Sequence, residues 1–211
     1  MKIRWYGHAS FMIETDGKII YIDPYIIPKN PNKADIILIT HEHYDHCDTN
    51  NIEKLRKLNT VIITTDGAAN KIKNGVAIVR PDDTLHINNI DIKAVHAYNI
   101  NKYFHKKGDG VGFIIGSEGK RIYHSGDTDF IPEMKNLGDI NIALMAVGGK
   151  YTMNAREAAD AVKVIRPDIA IPMHWGNVVG SREDAKIFKE IVERETNTKV
   201  LILDGEELDI S

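Results

Sequence analysis

Ile36-Ile37-Leu38-Ile39-Thr40-His41-Glu42-His43-Tyr44-Asp45-His46 runs from an unbroken apolar stretch straight into three imidazoles and two carboxylates within six positions. The apolar residues read as a strand covered on both faces, and the polar cluster as the loop at its end. In an extended chain His41, His43 and Asp45 share one parity and turn to the same side. On a helix His41 and His43 would lie on nearly opposite faces, so this is not the helical two-histidine zinc pattern. His46 breaks the parity and requires a bend. A polar loop that happens to be rich in histidine is the bland alternative, but adjacent like residues bring it no structural gain. Neutral imidazole with carboxylate is the usual ligand set for zinc, iron or manganese. The stretch therefore reads as a buried strand that delivers ligands for two different metal ions on successive residues.

The chain has 211 residues, which suits a single domain spanning 1–211 with a substantial core. Lys and Arg total 27 against 30 Asp and Glu, a net charge of −3, so there is no basic footprint for nucleic acid. The lone cysteine, Cys47, excludes an intramolecular disulfide and fits a reducing interior. Met1-Lys2-Ile3-Arg4-Trp5 enters a strand pattern without a charged-then-apolar leader, and no apolar run reaches membrane-spanning length. A cytoplasmic location and no membrane segment are expected. The Pro-flanked Tyr25-Ile26-Ile27 could cover the site or contact a second copy in a homo-oligomer.

Strand patterns occupy residues 3–6, 10–14, 18–22, 35–40 and 61–64, with Asp16-Gly17 as a two-residue hairpin signal. Residues 51–58 predict a short helix with Ile52, Leu55 and Leu58 on one face, and 66–73 a second. A hairpin is expected over 84–88 and 90–97, then strands at 111–115 and 121–124 around the turn Ser117-Glu118-Gly119. Residues 140–147 form a continuous apolar run, as in a strand buried on both faces. Asn154 and Glu157 resemble a capping box, followed by the stripe Ala158, Ala161, Val162 and Ile165. A strand at 169–171 stopped by Pro172, a helix over 182–194 and a closing strand at 199–203 complete the pattern. Hairpins in the first half with βαβ-like units later suggest two packed sheets with helices outside.

Three later segments also end an apolar run with a candidate ligand: His96, Asp127 in Tyr123-His124-Ser125-Gly126-Asp127, and His174. Ligands at strand ends can converge on one edge of a sheet. The ordered set His41-Glu42-His43-Tyr44-Asp45-His46, His96, Asp127, His174 resembles the metallo-β-lactamase superfamily over essentially the whole chain. Further stretches are similar to the branch that contains ascorbate-6-phosphate lactonase. They are Trp5-Tyr6-Gly7-His8-Ala9-Ser10-Phe11, Tyr21-Ile22-Asp23-Pro24, Gly148-Gly149-Lys150-Tyr151-Thr152-Met153 and Pro172-Met173-His174-Trp175.

The resemblance implies an α+β fold, a four-layer αββα sandwich of two mixed β-sheets flanked by helices. It also implies that His41, His43 and His96 hold one metal, that Asp45, His46 and His174 hold a second, and that Asp127 bridges them. Asp129 reads as a turn or helix-cap residue. Asp23 resembles the family's acidic residue that orients a ligand histidine, and His8 reads as such a partner, as a substrate contact or simply as a satisfied loop histidine. His124 is expected in the core and His86 on the surface. The loop of residues 101–108 holds His105, Lys106 and Lys107; it is either plainly solvated or a rim that grips an anionic group.

Dispersed nitrogen and oxygen ligands without thiolates imply two ions with open positions, zinc first, with manganese or iron as alternatives. Ions about 3.5–4 Å apart can share a water whose pKa falls to roughly 7, giving a hydroxide nucleophile. Asp45 is the candidate catalytic residue, accepting a hydrogen bond from that nucleophile. No Gly-x-Ser-x-Gly elbow is present. The expected activity is hydrolysis of an ester-type bond in a small anionic substrate, with a phosphorylated lactone suggested by the resemblance. A phosphodiester would suit the same metals, and a non-catalytic metal- or ligand-binding module is the alternative of a different class.

Overall fold

Alternation at period two builds the first sheet. In a computed structural model, which describes residues 1–210, β1 (Lys2–Gly7), β2 (Ser10–Thr15) and β3 (Lys18–Ile22) form an antiparallel meander. Asp16 and Gly17 take φ of 47° and 67°, the left-handed pair that a tight two-residue hairpin needs. Next, β4 (Ile36–Leu38), β5 (Val61–Thr64) and β6 (Val76–Ile78) add in parallel. They are connected through α1 (Thr49–Leu55) and α2 (Asp66–Ala69). The Asp48 side chain caps α1 by accepting the Asn51 N–H. Leu58, expected on the apolar face of that helix, lies past its end and is 98% exposed. The second helix is likewise shorter than its pattern.

The second sheet repeats this plan. An antiparallel run of β7 (Thr84–Ile87), β8 (Ile90–Ala97), β9 (Gly110–Ser117) and β10 (Lys120–His124) passes into parallel β11 (Ile142–Ala146), β12 (Ile169–Met173) and β13 (Lys199–Val200). Between the parallel strands run α3 (Ala155–Ile165), opened by the Asn154/Glu157 capping box, and α4 (Arg182–Glu195). Finally β14 (Glu207–Asp209) returns to pair with β1, so that each sheet has seven strands among the described residues. The sequence pattern had assigned no strand to 76–78 or 207–209, both three-residue edge strands with too few residues to show a period.

Parity in β4 shows the layering. Ile36 and Leu38 face the core between the sheets with Ile20, Ile22 and Ile63. Ile37 and Ile39 face the other way, onto Ile52 and Leu55 of α1 and Ala68 of α2. The α3 stripe is buried on the second sheet's outer side. The architecture is the expected helix–sheet–sheet–helix sandwich. Pro172 does not end its strand, contrary to expectation. Met173 offers its carbonyl to Val147 of the β11 side and Ala170 to Leu201 of the β13 side. Pro172 shares Ala170's parity, so its missing N–H faces the side where β13 has already ended.

The chain leaves β4, β10 and β12 at one edge of the sandwich. Two backbone bonds stitch the sheets together there, Val111 N–H to Thr40 O at 3.0 Å and His174 N–H to His8 O at 2.8 Å. No helix among the described residues is long and apolar enough to cross a membrane.

Candidate metal centre

After β4 the chain does not stay extended. Residues 43–46 form a turn in which the N–H groups of His46 and Cys47 both donate to His43 O, at 3.1 and 2.8 Å. The turn divides the opening cluster differently from simple alternation. His41 and His43 stay together, Nε2 to Nδ1 at 3.1 Å, whereas Asp45 swings to the side of His46.

The third nitrogen beside His41 and His43 belongs to His105. Its Nε2 lies 3.2 Å from His43 Nδ1, and these three residues form one group with potential ligand atoms in mutual reach. His96, expected there, is not part of this group. The strand does not end where its apolar run does: β8 continues to Ala97, with His96 still paired opposite Val111. The His96 ring sits beside Tyr98 with Nε2 4.0 Å from Asp82, outside the candidate clusters among the described residues. The loop after β8 brings His105 in instead. Asn99 Oδ1 accepts from both the backbone N–H and Nδ1–H of His105 at 3.1 Å, which leaves Nε2 free toward the site.

Asp129, read as a turn residue, anchors this loop. Its carboxylate accepts from Asn99 Nδ2 (3.1 Å), Ile100 N–H (2.9 Å) and Lys102 Nζ (2.6 Å). Asn99 and Lys102 carried no signal in the sequence, because their partners lie about thirty residues away and only the packed loop reveals them.

A second group contains Asp45, His46, His174 and also His8. His8 is fully buried, with Nε2 3.0 Å from Asp45 Oδ2 and its ring 4.0 Å from that of His174. It reaches Asp45 rather than the open cavity. Asp127 stands between the two groups. One of its oxygens is 3.4 Å from His46 Nε2; the other is 3.1 Å from His174 Nε2 and 3.3 Å from His105 Nε2. Gly126 before it has φ of 60°, and a Cβ there would lie 2.6 Å from Val111 O, so only glycine lets the loop approach this closely.

Asp23 orients both groups at once. Its buried carboxylate accepts from His46 Nδ1 (2.7 Å), from Thr40 N–H (2.7 Å) and from the Thr40 hydroxyl (2.7 Å). That hydroxyl in turn accepts from His41 Nδ1 at 2.9 Å. The expected partner of one histidine thus steers a second through Thr40. Asp23, His8 and His174 all have left-handed φ (44°, 52° and 63°), a conformation that costs a non-glycine residue about 1–3 kcal/mol. Such strain persists where surrounding contacts over-determine it. Asp23→Asn is expected to weaken metal binding about 10–100-fold, measured by competition with a chromogenic chelator, with the circular dichroism spectrum retained. Unchanged affinity would remove Asp23 from the site.

Charge states follow from burial and proximity. Burial, with His46 nearby, holds His41 well below the usual imidazole range, and burial likewise lowers His105 and His8. Burial pushes Asp127 upward, but His174 and His46 outweigh it and hold the carboxyl well below its usual range. Asp45 is lowered too, burial being outweighed by His8 and His46. His46 is the exception: burial opposes its charge, yet Asp127 and Asp23 hold it well above the usual value. Ionised carboxylates and neutral imidazoles are the forms in which these side chains bind a divalent cation.

The donor set fits such a cation. Nε2 of His46, Nε2 of His174 and one oxygen of Asp127 are buried without a hydrogen-bond partner although they converge. Leaving a buried polar atom unpaired costs about 1–3 kcal/mol, so several at one point are best explained by a shared positive charge.

A cavity of about 320 Å3 opens over the cluster, with His43, Asp45, His105 and Asp127 at its floor and Tyr44, Phe104, Tyr151 and Val178 as walls. No Lys or Arg is among its lining residues. Lys106 is exposed and outside the lining, Lys107 binds Glu133 at 2.7 Å, and Lys102 is held by Asp129.

The sequence model of the Beta-lactamase superfamily domain matches residues 2–174. The chain belongs to the metallo-β-lactamase superfamily. Within it, the chain is 35% identical over 222 residues to a UPF0173 metal-dependent hydrolase of Methanosarcina mazei, covering 96% of this chain and 95% of that one. A crystal structure of a candidate metal-dependent hydrolase from Parabacteroides distasonis superposes with a TM-score of 0.88 at 34% identity, over 97% and 93% of the two chains. Igni18, a metallo hydrolase of Ignicoccus hospitalis, gives a TM-score of 0.82 at 26% identity, over 100% and 99%.

Proposed function

We propose that this metal-dependent hydrolase of the metallo-β-lactamase superfamily holds two divalent ions and cleaves an ester-type bond in a small molecule. The observation that carries the reading is the position of Asp127, whose two oxygens lie 3.1–3.4 Å from imidazoles of both groups. His41, His43 and His105 would hold the first ion; Asp45, His46 and His174 would hold the second; Asp127 would serve both. A set of three imidazoles suits zinc, and the carboxylate-bearing second position suits manganese or iron as well. Bound there, such ions would supply Lewis acidity and would lower the pKa of a coordinated water to roughly 7.

The chain's own part is orientation and charge. Asp23 and Asn99 take the far nitrogens of His46 and His105, so each presents its other nitrogen inward. Asp45 is kept ionised, and His8 pins one of its oxygens, leaving the other to accept a hydrogen bond from the attacking water. The cavity wall carries no Lys or Arg, so the reading keeps the bond class and leaves out a phosphate on the substrate.

Elemental analysis after reconstitution with zinc, manganese or iron should give about two ions per chain. The loaded protein should then turn over at least one class in a panel of lactones, thioesters and phosphodiesters. Metal no higher than trace after reconstitution would overturn the reading. Two ions without turnover of any class would favour a binding module.

A further inference from the structure

The walls above the metal centre are of one chemical kind. Tyr44, Phe104, Tyr151 and Val178 surround the approach to Asp45 and Asp127, and the lining contains no cationic side chain. Phe104 meets the Tyr151 ring edge-on, at 4.7 Å between centroids and 88° between planes, so the two rings brace each other. Tyr44 and Phe104 nevertheless remain 67% and 48% exposed. Large rings grouped at the mouth of a polar site mark a surface that gains by being covered.

Of the lysines near this mouth, Lys106 is exposed and stands outside the lining, and three others have partners. Lys102 spans Asp129 and the Thr152 carbonyl at 2.6 and 2.9 Å, Lys107 lies between Glu133 and the Tyr98 ring, and Lys150 sits over the Tyr151 ring at 5.0 Å. A volume of about 320 Å3 is at the small end of the 300–1,000 Å3 typical of ligand pockets.

We infer that the centre serves neutral substrates whose scissile bond is flanked by a compact aromatic or aliphatic body, seated between Tyr44, Phe104, Tyr151 and Val178. This rests on the hydrolytic reading above and adds the specificity-determining wall. The reacting group lies at the floor, against the ligand residues; the apolar body displaces water from the rings; and an anionic tail finds no partner there.

Hydroxamates separate the two parts, since one end binds metal and the other is free to vary. The metal-loaded protein would be titrated calorimetrically with acetohydroxamate, butanohydroxamate, hexanohydroxamate, benzohydroxamate and the carboxylate-ended succinohydroxamate. Affinity is expected to rise about two- to fourfold per added methylene along the aliphatic series. Succinohydroxamate should bind more weakly than butanohydroxamate, its uncharged counterpart. Phe104→Ala should flatten the series. Tyr103→Ala, whose ring is 95% exposed and outside the lining, should leave the slope intact. A flat series, or tightest binding by succinohydroxamate, with the metals bound would overturn this inference and leave the hydrolytic reading standing. Failure to bind metal at all would overturn the hydrolytic reading and this inference with it.

Discussion

Asp127→Ala is expected to lower turnover about 10^3-fold, on the order of 4 kcal/mol in the barrier, and to cost the protein at least one of its ions. The size of the effect follows from the position of this carboxylate. It is the one side chain whose oxygens face imidazoles of both groups, at 3.1–3.4 Å. Removing it takes away a ligand and also the negative charge that holds His46, His105 and His174 together at close range. The fold should survive, because Asp127 stands in a loop beyond β10 and takes no part in the apolar core. Turnover and metal content would be measured together, with the circular dichroism spectrum as the check on folding. A variant that kept both ions and more than a tenth of its activity would show that Asp127 does not join the two positions.

His105→Ala and His96→Ala form the second test, and opposite results are expected. His105→Ala should lower affinity for the first ion by about 10^2-fold or more, since losing even an orienting partner of a ligand typically costs 10–100-fold. Activity should fall with it. His96→Ala should change both by less than about twofold, the behaviour of a substitution away from the site. Chelator competition gives the affinities, and steady-state rates on whichever substrate class is turned over give the activities. If His96→Ala removed metal while His105→Ala retained it, the loop would have to rearrange on binding and the assignment would revert to the strand residue.

These two histidines show where sequence reading stops. His96 directly follows an apolar run within a strand, whereas His105 lies in the loop beyond it, and the rule that ligands cluster at strand ends favours the first. In the structure β8 outlasts its own apolar stretch, and the ladder with β9 keeps His96 within the sheet. A loop residue like His105 has no period to betray its direction. It is set by Asn99, Asp129 and Lys102, contacts made only once the loop is folded against residues 129 and 152. The two readings of the loop around Lys106, solvated or gripping an anionic group, are likewise not separable by composition. A basic loop reads as a basic rim until its lysines are seen to be paired with Asp129 and Glu133 or turned to solvent.

Other features were legible because they are local. The β4 run is covered on both faces, the Asp16-Gly17 hairpin takes its left-handed pair, and Asn154 with Glu157 closes its capping box. Each depends on residues within a few positions of one another, where backbone geometry leaves little choice. Pro172 marks the limit even of local rules, since whether a missing N–H matters depends on which neighbour it faces.

By itself, then, the chain's order of residues determined the sandwich and the presence of a nitrogen- and oxygen-rich cluster at the ends of β4, β10 and β12. Hydrophobic periodicity and backbone sterics act along the chain, so they can be read along it. Only the tertiary structure decided which nitrogen completes the first group, that Asp23 steers His46 directly and His41 through Thr40, and that the lining above the centre is largely aromatic and holds no cationic side chain. These depend on distances of about 3 Å between residues far apart in sequence, and a chain acquires such distances only when its sheets and loops are packed.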